Sequence, residues 1–339
     1  MKVCIIGVDQ PYALEASYQR AFVQLGADVC LFDIDTYQRP YVRLGKAGRF
    51  IHRFLPVDAW QRKLNRDLAL AIVAQKPDLV LVCCNAPVLV STLAFVKSLH
   101  GTRFVLVWPD PLTNLQPHVQ QAACLYDGVA TYCRATVPIF TQLGFRNVQW
   151  VPLAADPALH QVDTRPGHFD HDLVFLGAWR PERERTLATV AQHFPSLRIG
   201  IWGTDWQRNQ TVALRRYVQA KPLRGQAYAA TLNRSRINLN VIDDTCFPAA
   251  NMRFFEVPIA HGLHLHSACP EWDTSYVDGQ HVLSYAGTDE LLTKIDWAMT
   301  HPADAIRRAG YDHTLRQHTY RHRAGQMQTF FLSSPVLQP

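Results

Sequence analysis

Long apolar runs are missing from this chain. No stretch of about 20 apolar residues occurs in it, which excludes a membrane-spanning helix. The opening run, residues 1–7, is too short for the apolar region of a secretory signal. A soluble, cytoplasmic protein is the expectation. Paired cysteines are missing as well. The eight cysteines (Cys4, Cys30, Cys83, Cys84, Cys124, Cys133, Cys246 and Cys269) form no Cys-x-x-Cys and no zinc spacing, and they read as reduced core residues. The 15 histidines contain no His-Glu-x-x-His. Zinc-finger spacing, an RNA-recognition signature and a helix-turn-helix pattern are all lacking, so no nucleic-acid partner is expected. Neither low-complexity segments nor short repeats appear.

What is present is a globular composition. The chain has 339 residues, 48% hydrophobic and 18% charged. Single cores rarely grow past about 250 to 300 residues, so two domains are expected. Net charge is +6, unevenly placed. Within 39–66 lie Arg39, Arg43, Lys46, Arg49, Arg53, Arg62, Lys63 and Arg66 against the single acid Asp58, with aromatic and aliphatic residues between them. That segment suits either a solvated surface or peripheral contact with an anionic membrane.

Strand and helix signals alternate through the first half. Apolar runs at 3–7, 29–33, 79–83, 104–108, 128–131 and 148–151 are too apolar for half-exposed strands, and amphipathic stretches at 13–25, 60–74, 87–99 and 134–143 separate them. This predicts a parallel α/β sheet of Rossmann type. Residues 153–167, with Pro157 and Pro166, break the pattern and read as a linker. The alternation then resumes with strands at 173–177, 197–202, 237–241, 263–266 and 282–285 and helices near 182–193, 226–233, 252–261 and 289–300. A tail of two helical patterns, 305–317 and 320–331, follows. The expected domains are 1–155 (acceptor-binding), 156–318 (donor-binding) and 319–339, a C-terminal helix crossing back to the first domain.

The block Asn251-Met252-Arg253-Phe254-Phe255-Glu256-Val257-Pro258-Ile259-Ala260-His261-Gly262 carries the most chemistry. Phe254, Val257 and Ile259 suit a buried helix face, while Arg253 and Glu256, spaced i and i+3, would project together. A cation at a helix start attracts a diphosphate, and a carboxylate can accept two ribose hydroxyl hydrogen bonds.

With this block stand Phe175-Leu176-Gly177-Ala178-Trp179 followed by Glu182-Arg183, then Gly200-Ile201-Trp202-Gly203-Thr204-Asp205-Trp206, Ser235-Arg236-Ile237-Asn238-Leu239-Asn240, and His318-Thr319-Tyr320 with Arg323. In this order, from about residue 172 to 323, the chain resembles the CgeB-like glycosyltransferases of GT-B architecture. In the first half only Trp108-Pro109-Asp110-Pro111 and the general pattern match. The resemblance implies two Rossmann-like domains facing a central cleft and transfer of a sugar from a nucleoside diphosphate sugar to an acceptor, without a metal or other cofactor. It implies that Arg253 neutralises the diphosphate and aids its departure, and that Glu256 holds the ribose. Gly177, ending a strand, would let backbone approach the pyrophosphate. Trp179, Arg180 and Arg183 would face the cleft or cap the next helix.

One departure bears on the chemistry. Many retaining relatives carry a second glutamate eight residues before the first, and here that position is Pro248. Asn251 and the backbone near Ala249 and Ala250 are its substitutes by proximity. Asp33-Ile34-Asp35 and Asp170-His171-Asp172 have an Asp-x-Asp form but sit at a strand end and a linker edge, so no metal site is assigned. The proton acceptor is expected to be Asp110, with Asp9 second; Asn85 is a further acceptor-side candidate. Stereochemistry stays open. Two alternatives stand beside transfer: a nucleotide-sugar epimerase of the same fold, and a binding or assembly protein without turnover.

Overall fold

A computed structural model of the chain describes residues 1–37, 47, 58–162, 167–219, 222–271 and 276–332. By contact density it divides into two compact units, Met1–Pro152 with Tyr320–Pro339, and Leu153–Thr319.

The first unit grows from the apolar runs. β1 (Lys2–Gly7), α1 (Leu14–Gln24), β2 (Asp28–Asp33), α2 (Asp58–Gln75), β3 (Leu79–Cys83), α3 (Val90–Leu99), β4 (Arg103–Trp108), α4 (Pro117–Gln121), β5 (Gly128–Thr131), α5 (Val137–Gln142) and β6 (Val148–Trp150) follow one another. The six strands pair in the order β2-β1-β3-β4-β5-β6, and every pair is parallel. Every residue of β3 is buried, as a strand covered by helices on both faces requires.

The second unit repeats the plan. It contains α6 (Pro157–His160), β7 (His171–Leu176), α7 (Pro181–His193), β8 (Ile199–Trp202), α8 (Gly225–Asn233), β9 (Ser235–Asn240), α9 (Arg253–Ile259), β10 (His264–Ser267), β11 (Leu283–Tyr285), α10 (Thr288–Thr300) and α11 (Asp304–Gln317). Its parallel sheet runs β11-β10-β9-β7-β8. Both sheets are doubly wound: the chain goes first to one side of its opening strand and then to the other. Such sheets bind ligands outside the carboxyl ends of the strands where the direction reverses. Those points lie between β1 and β3 in the first unit and between β7 and β9 in the second.

The final helix, α12 (Tyr320–Leu332), belongs to the first unit and packs on α1, with the Tyr18 and Tyr320 rings 5.1 Å apart, edge to face. Residues 153–167, expected as a linker, begin inside the second unit's packing. Leu153, Ala154, Ala155 and Asp156 are buried, Ala155 bridges to Thr319, and the Asp156 carboxylate caps α6 by accepting from the Ala158 N–H at 3.0 Å. Among the described residues no helix is long and apolar enough to cross a membrane. None of the eight cysteines is in a disulfide; Cys124 is exposed, against the expectation of a core position. Arg39, Arg43, Lys46, Arg49 and Arg53 of the basic segment lie outside the described residues, while Arg62, Lys63 and Arg66 are exposed on α2.

Candidate functional site

The second unit's reversal point is built by two turns and one short helix. After β7, the Gly177 N–H donates to the Trp202 carbonyl at 2.8 Å and the Trp179 N–H to the Thr204 carbonyl at 2.8 Å, while the Trp206 indole donates to the Gly177 carbonyl at 2.9 Å. The turns after β7 and β8 therefore lie backbone to backbone. Gly203 makes this possible: its φ is +153°, and a Cβ there would fall 1.9 Å from the Gly177 oxygen.

At the end of β9, Asn240 exchanges hydrogen bonds with Asn251, amide to amide, at 3.0 and 2.9 Å. The Asn240 oxygen also accepts from Arg253 Nε at 3.1 Å. This triple contact aims the half-buried Arg253, whose Cζ lies 3.5 Å from where a Cβ on Gly177 would stand. Gly177 and Arg253, expected at one site, are thus brought together at the ends of β7 and β9. Asn251 is spent on holding Asn240. The sequence reading gave Asn240 no role, although Asn238 and Asn240, alternating with Ile237 and Leu239, marked one polar face of the strand.

Arg183 is buried and its guanidinium is engaged. Nε donates to the Val241 carbonyl at 3.2 Å, Nη1 to the Ala178 carbonyl at 3.0 Å, and Nη2 pairs with Asp243 Oδ2 at 2.6 Å. Burial, and then the neighbouring Arg253, pull its pKa down to about 10, so it stays charged at neutral pH. The Asp243 carboxyl would be pushed up by burial, but Thr245, Arg183 and the Cys246 N–H hold it below the usual range. Arg183 therefore braces the turn that carries Ala178 instead of standing open to solvent.

Two further assignments, Trp179 and Glu256, take a different form in the structure, while Arg180 stands at the cap position expected of it. Trp179 turns its indole to Glu184, donating to Oε2 at 2.6 Å. Glu184 Oε1 also accepts from the Gln210 and Thr211 N–H groups and the Thr211 hydroxyl, a buried hub that sequence reading missed. Arg180 is the exposed residue at the N-cap of α7. Glu256 does not project freely beside Arg253: it is buried, its Oε2 accepts from the Tyr228 hydroxyl at 2.7 Å, and its Oε1 lies 3.8 Å from His160 Nε2. The i, i+3 spacing was right about the helix but silent on the neighbours. Tyr228 on α8 and His160 on α6 reach this carboxylate only in three dimensions. Pro248 follows a cis peptide bond, the Ala249 N–H is taken by the Cys246 carbonyl, and Phe247 and Met252 are exposed on either side of this loop.

In the first unit the acceptor-side candidates gather at strand ends. Asp110 Oδ2 accepts from the Asn114 side chain at 2.7 Å, and the Asn85 amide donates to the Asn114 carbonyl at 2.9 Å and accepts from the Gln116 N–H at 3.1 Å. Asp9 is exposed, its N–H donating to Asp33 Oδ1 at 3.1 Å. A missed neighbour is Glu15, which folds over Gly7 and accepts from the Val8 N–H at 3.1 Å; burial above all holds its carboxyl above the usual range. Its signal was an acidic residue in the first turn of the helix after β1.

The Asp-x-Asp pairs are accounted for locally. Asp33 accepts from the Asp9 and Asp35 N–H groups and from the Thr36 hydroxyl, while Asp172 pairs with Arg198 and Asp170 with His168 and Arg234 at the amino end of β7, away from Gly177. No group of three His, Cys, Asp or Glu side chains among the described residues is placed to hold a metal.

Residues 180–329 match the family model described as glycosyl transferase-like. No curated protein matches the chain. Among solved structures, HepE of Anabaena in complex with UDP-glucose is similar over 98% of this chain and 100% of its own, at 13% identity and a TM-score of 0.66. Sucrose-phosphate synthase of Thermosynechococcus elongatus is similar over 98% of each chain, at 10% identity and a TM-score of 0.64. S. aureus MnaA in complex with UDP is similar over 100% of this chain and 98% of its own, at 13% identity and a TM-score of 0.53. The chain thus has the two-sheet α/β fold of GT-B glycosyltransferase structures, and its residues 180–329 match the glycosyl transferase-like family.

Proposed function

We propose that this protein is a glycosyltransferase that takes its sugar from a nucleoside diphosphate donor held on the second unit. One observation carries the reading: Arg253, fixed by the Asn240–Asn251 pair, stands over Gly177 at the reversal point of a doubly wound sheet. A guanidinium there can take two phosphate oxygens side by side, and Gly177 offers no side chain to keep them away. The same contact strengthens as charge builds on the departing diphosphate, so Arg253 would assist bond cleavage as well as binding. Arg253 then supplies the positive charge without a metal, and activity is expected to survive a chelator. UDP is the nucleotide to test first, because HepE and MnaA have been solved with it.

The acceptor is assigned to the first unit, with Asp110 as proton acceptor and Asn85 and Asp9 beside it. Glu256, buried against Tyr228, is proposed to hold the ribose through the oxygen nearer His160.

Calorimetry with UDP tests the donor assignment. Losing a charge-assisted contact to phosphate should weaken binding about tenfold or more in Arg253→Ala. An unchanged affinity in a folded variant would sink it. A second reading, nucleotide-sugar epimerisation, draws on the similarity to MnaA. Incubation with a panel of UDP-sugars and no acceptor separates the two: slow release of UDP marks the transferase, an interconverted sugar the epimerase, and neither a protein that only binds.

A further inference from the structure

The face shared by α2 and α3 in the first unit has no part in the donor site. On α2, Arg62, Arg66, Leu70 and Val73 follow at spacings of four, four and three, so they share one stripe of the helix, cationic at its start and apolar further on. Phe95 and Leu99 form a second stripe on α3 at the same spacing. Between the two helices runs a groove of about 440 Å³ lined by these residues. Leu70, Phe95 and Leu99 are 63%, 53% and 48% exposed, although each is large enough to be buried in a core. Arg62, Lys63 and Arg66 are exposed at the cationic end, and Asp67 lies 3.3 Å from Arg66 Nε.

We propose that this face docks the protein on an anionic phospholipid membrane, with Leu70, Phe95 and Leu99 entering the acyl boundary and Arg62, Lys63 and Arg66 lying among the headgroup phosphates. The order of chemistry along the stripe is the argument. A bilayer surface presents phosphate and hydrocarbon side by side, and an amphipathic face binds by matching both. Docking of a second copy through the same patch would bring six like charges together, which Coulomb repulsion opposes. A polyanion without hydrocarbon would leave the three apolar side chains in water. The inference does not depend on the sugar-transfer reading.

Flotation of the full chain with vesicles tests it, using phosphatidylcholine alone and phosphatidylcholine mixed with phosphatidylglycerol. Binding should appear on the mixed vesicles and fall as salt rises, because a cation near an anionic surface contributes roughly fivefold to the binding constant and is screened by ions. Arg62→Gln with Arg66→Gln should therefore lower it about 25-fold at low salt. Leu70→Ser with Phe95→Ser should lower it comparably on the same vesicles while retaining the salt response. Both pairs are on the surface, so circular dichroism should not change. Equal binding to both vesicle types, or binding indifferent to both double variants, would overturn the proposal. So would sedimentation showing a dimer that Leu70→Ser with Phe95→Ser dissolves.

Discussion

The ion pair between Arg183 and Asp243 is the most exacting point at which to test the site's construction. Its side chains are 4% and 5% exposed, and Nη2 to Oδ2 is 2.6 Å. In Asp243→Asn the Oδ1 can still accept from the Thr245 hydroxyl and the Cys246 N–H, as it does now at 2.6 and 2.9 Å. Only the charge goes, and an amide NH2 replaces the oxygen that faces the guanidinium. Donor then meets donor, and Arg183 is left buried and positive while Arg253 still disfavours its charge. Breaking one side of a buried pair costs about 3 to 5 kcal/mol, and the surviving hydrogen bonds favour the lower end. Arg183→Met should cost a similar amount, since it strands the Val241 and Ala178 carbonyls as well as Asp243. The double variant removes both charges, so its loss should fall short of the sum by about 2 kcal/mol. Hydrogen exchange of the slowest amides in β7 and β9 reads the stability of the second unit directly. A loss below about 1 kcal/mol in Asp243→Asn, or strict additivity in the double variant, would refute the reasoning by showing that water reaches the pair.

Other outcomes follow from single positions. Gly203→Ala sets a methyl against the Gly177 carbonyl, backbone that cannot step aside, and should cost more than about 2 kcal/mol and weaken UDP binding. Gly279→Ala, at φ +73° with open space around it, serves as its control and should cost about 1 kcal/mol in urea unfolding. His264 and His266 lie under α9 with their rings 4.9 and 4.5 Å from Phe254, and burial lowers both pKa values, His266 from 6.5 to about 4. The unfolded chain takes up these protons first. Stability is therefore full above pH 6.5 and falls as pH drops toward 4, by about 3 kcal/mol for His266 alone, and the acid limb of a stability–pH curve should flatten in His264→Phe. Arg253→Ala should lose UDP affinity by calorimetry, and chelator should leave turnover unchanged.

Much of the fold was legible because parallel strands covered on both faces must be apolar throughout. All eleven strands among the described residues fall on the apolar runs, within a few residues at their ends. The helix of the Arg253 block was shorter than its pattern, ending at Ile259, since Pro258 and the turn at His261 and Gly262 close it. The site was only half legible. Gly177 and Arg253 could be named because a glycine after a strand and a cation at a helix start are local signals. Asn240, Glu184 and Tyr228 were not named, since their roles rest mainly on contacts with residues 11 to 28 positions away.

The sequence by itself determined two parallel α/β sheets and a cationic helix start in the second half, because apolar periodicity and charge spacing act over a few residues. Tertiary structure alone decided how the charges are used. Arg183 and Glu256 bear the same kind of charge as any surface residue until packing surrounds one with Asp243 and two carbonyls and the other with Tyr228 and His160. Arg253 is held half-buried where Asn240, itself bonded to Asn251, accepts from its Nε. Which cation faces a ligand is settled by desolvation and hydrogen bonding, and those depend on neighbours that only the folded chain supplies.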